Sequence, residues 1–305
     1  MGRYNALTDV DASAALPAIR LKKNITGYSL IAPYFVFLTV FSLIPIIRVL
    51  ILSFQTEGIL SPATWVGLDN YSRVFLTPEY LDSFKNNLVY LMLNVPLGNI
   101  MGLGLALIIR KKTRASAVFE TIYFLPLLLS MVVAGVLMNY VFSLNGPLNY
   151  VLYSMGFPEI NWFADPFLAK VFISFLEVWK GDTFFVFIYL AALRAIPDEY
   201  LEASRIDGGG YWKTLWHVIL PLIRGTILFC VTMATIWNFQ IFDSIVSTTY
   251  GGPLGGTTSM VFEIYKTTFK SNNVGVGAAL SVLFLFVILA VSMAQMKTMD
   301  DEVEY

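Results

Sequence analysis

The chain has 305 residues, of which 57% are hydrophobic and 13% charged, with a net charge of -1 and a mean hydropathy of +0.68. Soluble domains carry about 25% charged residues, so this composition excludes an ordinary soluble globule and points to the lipid bilayer as solvent. The near-neutral balance gives no ground for a nucleic-acid partner. The single cysteine, Cys230, lies in an apolar run and excludes an intrachain disulfide.

Residues 1–27 read as a polar tail carrying Arg3, Arg20, Lys22 and Lys23. They lack the apolar core of a cleavable leader, and Ala6 stands where a myristoylation motif needs Ser or Thr. A spanning helix needs about 20 predominantly apolar residues. On that criterion residues 28–297 form a transmembrane domain with spans at 28–54, 86–109, 119–142, 167–193, 218–241 and 274–296. Asn145-Gly146-Pro147 is turn chemistry, so the third span is expected to end near Phe142 and the following residues to form a loop at the membrane surface. Residues 298–305 are left as a short C-terminal tail.

Pro33, Pro45, Pro96 and Pro126 fall inside these spans, where neighbouring helices can satisfy the freed carbonyls. Gly98 and Gly102 form a small-xxx-small pair suited to close helix packing. Orientation follows from Lys and Arg placement. With the N-terminus inside, cytoplasmic segments hold Arg3, Arg20, Lys22, Lys23, Arg110, Lys111, Lys112, Arg114, Arg194, Arg205, Lys213, Arg224 and Lys297. The outer segments hold only Arg73, Lys85, Lys170, Lys266 and Lys270. Both termini are therefore expected in the cytoplasm.

The segment between the fourth and fifth spans is the informative one. Pro197 suits a helix start, and Asp198 and Glu199 favour its positive end. Gly208, Gly209 and Gly210 close that helix, and Tyr211-Trp212-Lys213 opens a second one. The expected product is a stiff helix-turn-helix knob, with residues 197–217 on the cytoplasmic face. Its Glu202-Ala203-Ser204, then Gly208, then Val218-Ile219-Leu220-Pro221 resembles the EAA loop of ABC importer permeases. Ser204 and Val218 are mild departures from the Ala and Ile of that pattern. The resemblance extends over residues 28–296, through Val66-Gly67-Leu68-Asp69-Asn70-Tyr71, Asn86-Asn87, Phe124-Leu125-Pro126, Trp179-Lys180-Gly181, Phe242-Asp243 and Gly251-Gly252-Pro253. It is with the carbohydrate-type branch, in its shorter glycerol-phosphate, raffinose and trehalose forms.

The resemblance implies an all-α integral membrane protein with the type I ABC importer permease fold and six spans. It implies a second permease, two ATPase subunits that bind ATP and Mg, and an extracytoplasmic solute-binding protein as partners. The solute would be a sugar, an oligosaccharide or a related polyol or glycerol-phosphate solute. The ATPase-coupling residues would be Glu202, Ala203, Ser204, Asp207, Gly208 and Gly209. No phosphate-cradling Gly-x-x-x-x-Gly-Lys-Ser/Thr occurs in the chain, so it is read as a non-catalytic subunit that carries no cofactor.

Charges inside spans are costly and point to function. Glu177 and Lys180 are three residues apart and can pair on one helix face, with Asp182 at similar depth. Trp237, Asn238, Gln240 and Asp243 cluster at the outer end of the fifth span. Sugars are held by planar polar groups beside an aromatic face, so these seven residues are the candidate solute path. Asn94 and Asn99 are weaker candidates. His217, the sole histidine, has no partner for a metal site. An ion-gradient-driven secondary transporter is the alternative reading. It predicts internal repeats, which are not evident.

Overall fold

The computed structural model describes residues 28–56 and 62–300, less the side chains of Asp182 and of residues 298–300. The expected N-terminal tail, residues 1–27, lies outside the described residues, as do residues 301–305. The chain divides into two units, residues 1–52 and 53–305. In the first, Tyr28–Leu52 forms one apolar helix, α1, with none of its apolar window buried. A π-helical turn, Thr39–Leu43, precedes Pro45. The wider turn accommodates a ring that has no N–H and would clash with the carbonyl one turn back.

The second unit begins with a small antiparallel ribbon, β1 (Gln55–Thr56) and β2 (Thr64–Trp65). Helices follow in order: α2 Asp69–Leu76, α3 Pro78–Ile109, α4 Arg114–Leu128, α5 Met131–Phe142, α6 Pro147–Ser154 and α7 Pro166–Ala195. Next come α8 Asp198–Ile206, α9 Tyr211–Leu222, α10 Arg224–Phe239, α11 Asp243–Ser247, α12 Met260–Tyr265 and α13 Val274–Asp300.

Among the described residues, four stretches are long and apolar enough to cross a membrane: Tyr28–Leu52, Pro78–Ile109, Met131–Ser154 and Val274–Lys297. The pair α9 and α10, bent by 71°, makes a fifth if it is one span. The expected fourth span lies within the 30-residue α7, whose apolar run is divided by Glu177, Lys180 and Asp182.

Four expectations need correction. The third span, 119–142, is not one helix: Leu129 and Ser130 are extended and separate α4 from α5. Pro126 removes a backbone donor near that break, and the Ser130 hydroxyl caps α5 by accepting from the Val133 N–H. The stretch after Phe142 contains α6 instead of being only a loop. The fifth span, 218–241, loses its first turns to α9, because the chain unwinds at Ile223 (φ −102°, ψ 12°) just after Pro221. The C-terminal tail does not begin at residue 298, since α13 continues to Asp300.

The core of the second unit is built on α3 and α7. α3 has the reverse of a soluble helix's polarity. Met92, Ile100 and Ile108 form an outward stripe, 71–78% exposed, while Asn87, Tyr90, Asn94, Gly98, Asn99, Gly102 and Ala106 are buried. Lipid does not drive apolar side chains together, so close packing and internal hydrogen bonds must hold such a helix in place. Gly102 supplies the packing. A Cβ added there would sit 3.5 Å from Phe185 Cβ and 3.6 Å from a ring carbon of Tyr189, so glycine brings α7 close. Tyr189 donates to Asn99 Oδ1 at 2.6 Å, and Asn99 does not line the polar cavity described below. Leu193 and Ile196 of the α7 end, Leu215, Ile219 and Ile223 of the α9 segment, and Cys230 complete this cluster.

The N-terminal half of α3 holds the long connection between α11 and α12. The Ser83 and Thr258 hydroxyls share a hydrogen bond, Asn86 donates to Thr258 O, and Tyr90 donates to Thr257 O. Asn87, fully buried, donates to Asn238 O at 3.4 Å and Phe239 O at 3.3 Å and accepts from Met260 N–H at 2.7 Å. The connection is thus pinned to a helix face, and Leu254 at its tip is wholly exposed.

Candidate functional site

The knob forms because its sequence starts and stops helices sharply. Pro197 precedes α8, Asp198 and Glu199 fill its first turn, and Arg205 its last. At the C-terminal end, Asp207 N–H bonds Ala203 O, Gly208 N–H bonds Arg205 O, and Gly209 N–H bonds Ser204 O. Gly208 holds the left-handed conformation that closes the helix, with φ +72°.

The two glycines have different jobs. A Cβ on Gly208 would meet nothing within 4 Å, so its requirement is conformational. A side chain at Gly208 would therefore not push the two helices of the knob apart within this chain. A Cβ on Gly209 would lie 2.5 Å from Ser204 Oγ, 2.6 Å from Ser204 O and 3.2 Å from Thr214 Oγ1, so that glycine is sterically required. Ser204, read from sequence as a mild departure, joins α8 to α9 through a 2.8 Å hydrogen bond with Thr214. Alanine cannot make that bond.

Glu202, Ala203, Asp207 and Gly208 are exposed, whereas Ser204 and Gly209 are half-buried. On the inner side, Leu201 packs against the α3/α7 core cluster. The outer surface carries an open groove of about 360 Å³ lined by Tyr200, Ala203, Ser204, Asp207, Lys213 and His217, among others. His217 Nδ1 lies 3.1 Å from Lys213 O.

The second constellation lies between α3, α7 and α10. A narrow cavity of about 40 Å³ is lined by Asn94, Glu177, Val178, Gly181, Phe185, Ala234, Trp237 and Asn238. Glu177, Trp237 and Asn238, of the seven path candidates, are brought together here. Asn94 donates to Asn238 Oδ1, and Asn238 donates to Ala234 O. Asn94 is buried, and its own Oδ1 has no hydrogen-bond partner among the described residues. The Trp237 ring packs on Phe184 and Phe185, with centroids 5.1 Å and 5.3 Å away.

Lys180, Gln240 and Asp243 do not line this cavity; Gln240 and Asp243 are exposed. Asp182's side chain lies outside the described residues. The expected Glu177–Lys180 pair does not form: Glu177 instead accepts from the Ser244 hydroxyl of α11. Ser244 was missed because only the fold brings residues 67 apart in sequence together. Gly181, part of the Trp179-Lys180-Gly181 segment, also lines the cavity. Its missing side chain leaves space beside Glu177.

Comparison with known proteins adds the following. A family model described as the binding-protein-dependent transport system inner membrane component matches residues 95–303. The probable ABC transporter permease YesP of Bacillus subtilis is 30% identical over 300 residues, 97% of this chain and 96% of its own. The lactose transport system permease LacF of Rhizobium radiobacter is 32% identical over 265 residues, 85% of this chain and 88% of its own. The trehalose/maltose transport system permease MalF of Thermococcus litoralis is 28% identical over 276 residues, covering 89% and 92%. A chain in the crystal structure of a bacterial ABC transporter that imports the acidic polysaccharide alginate superposes with a TM-score of 0.83 at 22% identity, covering 93% of this chain and 100% of that one. At that identity the likeness speaks for the fold alone.

Proposed function

Because this chain belongs to the binding-protein-dependent transport system inner membrane component family, we propose that it forms half of the translocation pathway of an ATP-driven importer of a sugar or oligosaccharide. The observation that carries the reading is the knob of α8 and α9, rigidly closed, exposed on its outer surface and set between α7 and α10. Its partners are a second permease, two ATPase subunits that supply ATP and Mg, and an extracytoplasmic solute-binding protein. The sugar class is supported by relatives named for lactose and for trehalose and maltose. A related solved complex includes an alginate-pentasaccharide-bound periplasmic protein. No comparison supports an ion-gradient-driven transporter.

The reading gives six spans with both termini in the cytoplasm of a cell-membrane protein, α4 and α5 together making the third crossing. The Lys and Arg distribution supports this orientation. Single cysteines at Lys112 and Glu199, both exposed, should react with a membrane-impermeant maleimide only from the cytoplasmic side, and one at Asp69 only from outside. Ser116 is unsuitable because it is buried in the capping box of α4. External labelling of Glu199 in intact cells would invert the topology and remove the coupling role.

The cleft at Asn94, Glu177, Trp237 and Asn238 is the candidate solute contact in this chain. About 40 Å³ accommodates water but not a sugar, so the helices must part for a solute to enter. Asn94→Ala and Asn238→Ala should each weaken half-saturating uptake by about 1–2 kcal/mol, or roughly 5- to 30-fold. Gln240→Ala, outside the cavity, should have little effect. Uptake by vesicles containing the assembled complex measures this, with lactose and trehalose as first probes. Unchanged uptake in both asparagine variants would take the cleft out of the pathway.

A further inference from the structure

Arg194 occupies the last turn of α7, three residues before Pro197 opens the knob. Its guanidinium contacts two other helices. Nη2 pairs with Glu120 Oε1 of α4 at 2.6 Å and also donates to Ile109 O at 3.3 Å, while Nε donates to Arg110 O at 3.2 Å. The two carbonyls belong to the C-terminal end of α3, where backbone acceptors are orphaned and the helix dipole is negative. A guanidinium, planar and permanently charged, satisfies both at once. The Arg194 and Glu120 side chains are only 24% and 23% exposed, so solvent screens this contact less than a surface pair.

Beneath this contact, Ile109, Leu193, Ile196, Leu215 and Ile219 share one buried cluster. The end of α3, α4 and the root of the knob are thus joined by one charged side chain over a common apolar floor. We propose that Arg194 is a positioning residue that yokes the knob to α3 and α4, so that a push on the knob moves them as one body. Asn94 lies on α3 about 23 Å from Ile109 at 1.5 Å per residue. α3 runs unbroken from Pro78 to Ile109 with Pro96 inside it, and this helix links the Arg194 contact to the polar cleft. This inference rests on the coupling role proposed above.

The test uses the assembled complex in nanodiscs, with spin labels on cysteines at Lys112, beside α4, and Lys213, on the knob; Cys230 is fully buried and stays in place. In the parent, the distance distribution should be narrow and the same without nucleotide and after trapping with ATP and vanadate. In Arg194→Ala it should broaden and shift on trapping. Glu120→Gln, which keeps the carbonyl caps, should broaden it less. ATP-driven uptake of the probe sugar should fall roughly 5- to 30-fold in Arg194→Ala at unchanged ATPase co-purification. A distribution in Arg194→Ala identical to the parent's in both states overturns the proposal. If that variant does not assemble, Arg194→Lys and Glu120→Gln decide it: parent-like distributions in both overturn it, and broadening in either supports it. The coupling role fails separately, if a photocrosslinker at Glu199 in the parent does not capture the ATPase subunit.

Discussion

Gly209→Ala is expected to abolish or nearly abolish transport. Its new methyl group would overlap Ser204 O and Oγ, and Ser204 O accepts the Gly209 N–H that closes α8. Either that bond breaks or α8 and α9 separate and the Ser204–Thr214 bond is lost. Overpacking of this kind costs ~1–3 kcal/mol, concentrated where two short helices must keep a fixed shape to fit a partner. Gly208 behaves differently. Its left-handed φ makes a non-glycine residue cost roughly 1–2 kcal/mol, and aspartate tolerates that conformation better than most, but nothing in this chain blocks the side chain. Gly208→Asp should therefore fold, and a loss of uptake there would point to the proposed contact with an ATPase subunit. Uptake, ATPase activity and co-purification of the ATPase subunit separate the two cases. Normal transport by Gly209→Ala would show that the closed shape of the knob is not what couples.

Asn87→Leu should be among the most destabilising single changes in the membrane core. The substitution conserves approximate volume but leaves Met260 N–H, Phe239 O and Asn238 O without their side-chain partner. Buried unsatisfied groups make such a loss worth roughly 2–5 kcal/mol in total. It also releases the backbone that orients Trp237 and Asn238 toward the cleft. Met92→Ala, on the outward stripe of the same helix, should change stability far less. Thermal unfolding of the purified complex, followed by loss of the monodisperse peak, measures both. Equal midpoints for the two variants would mean that the Asn87 contacts do not hold the connection to α3.

Composition and charge order by themselves determined that the chain belongs in a bilayer, because too few charges remain to cover a soluble surface. The EAA-like spacing and the flanking helix signals likewise located the knob, since capping and glycine closure act over a few adjacent residues. Only the tertiary structure decided the rest. The break at Leu129–Ser130 and the 71° bend after α9 depend on how prolines are accommodated by neighbours, which an uninterrupted apolar run conceals. Glu177 lies three residues from Lys180, yet its hydrogen bond goes to Ser244 of another helix. Asn87 and Asn94 look alike in sequence, but one pins a connection and the other lines a cavity. Arg194, by sequence one of several basic residues in the expected cytoplasmic segments, joins three helices. Local sequence sets which groups need partners; in a medium without water, which partner each receives is settled by helix packing across long sequence separations.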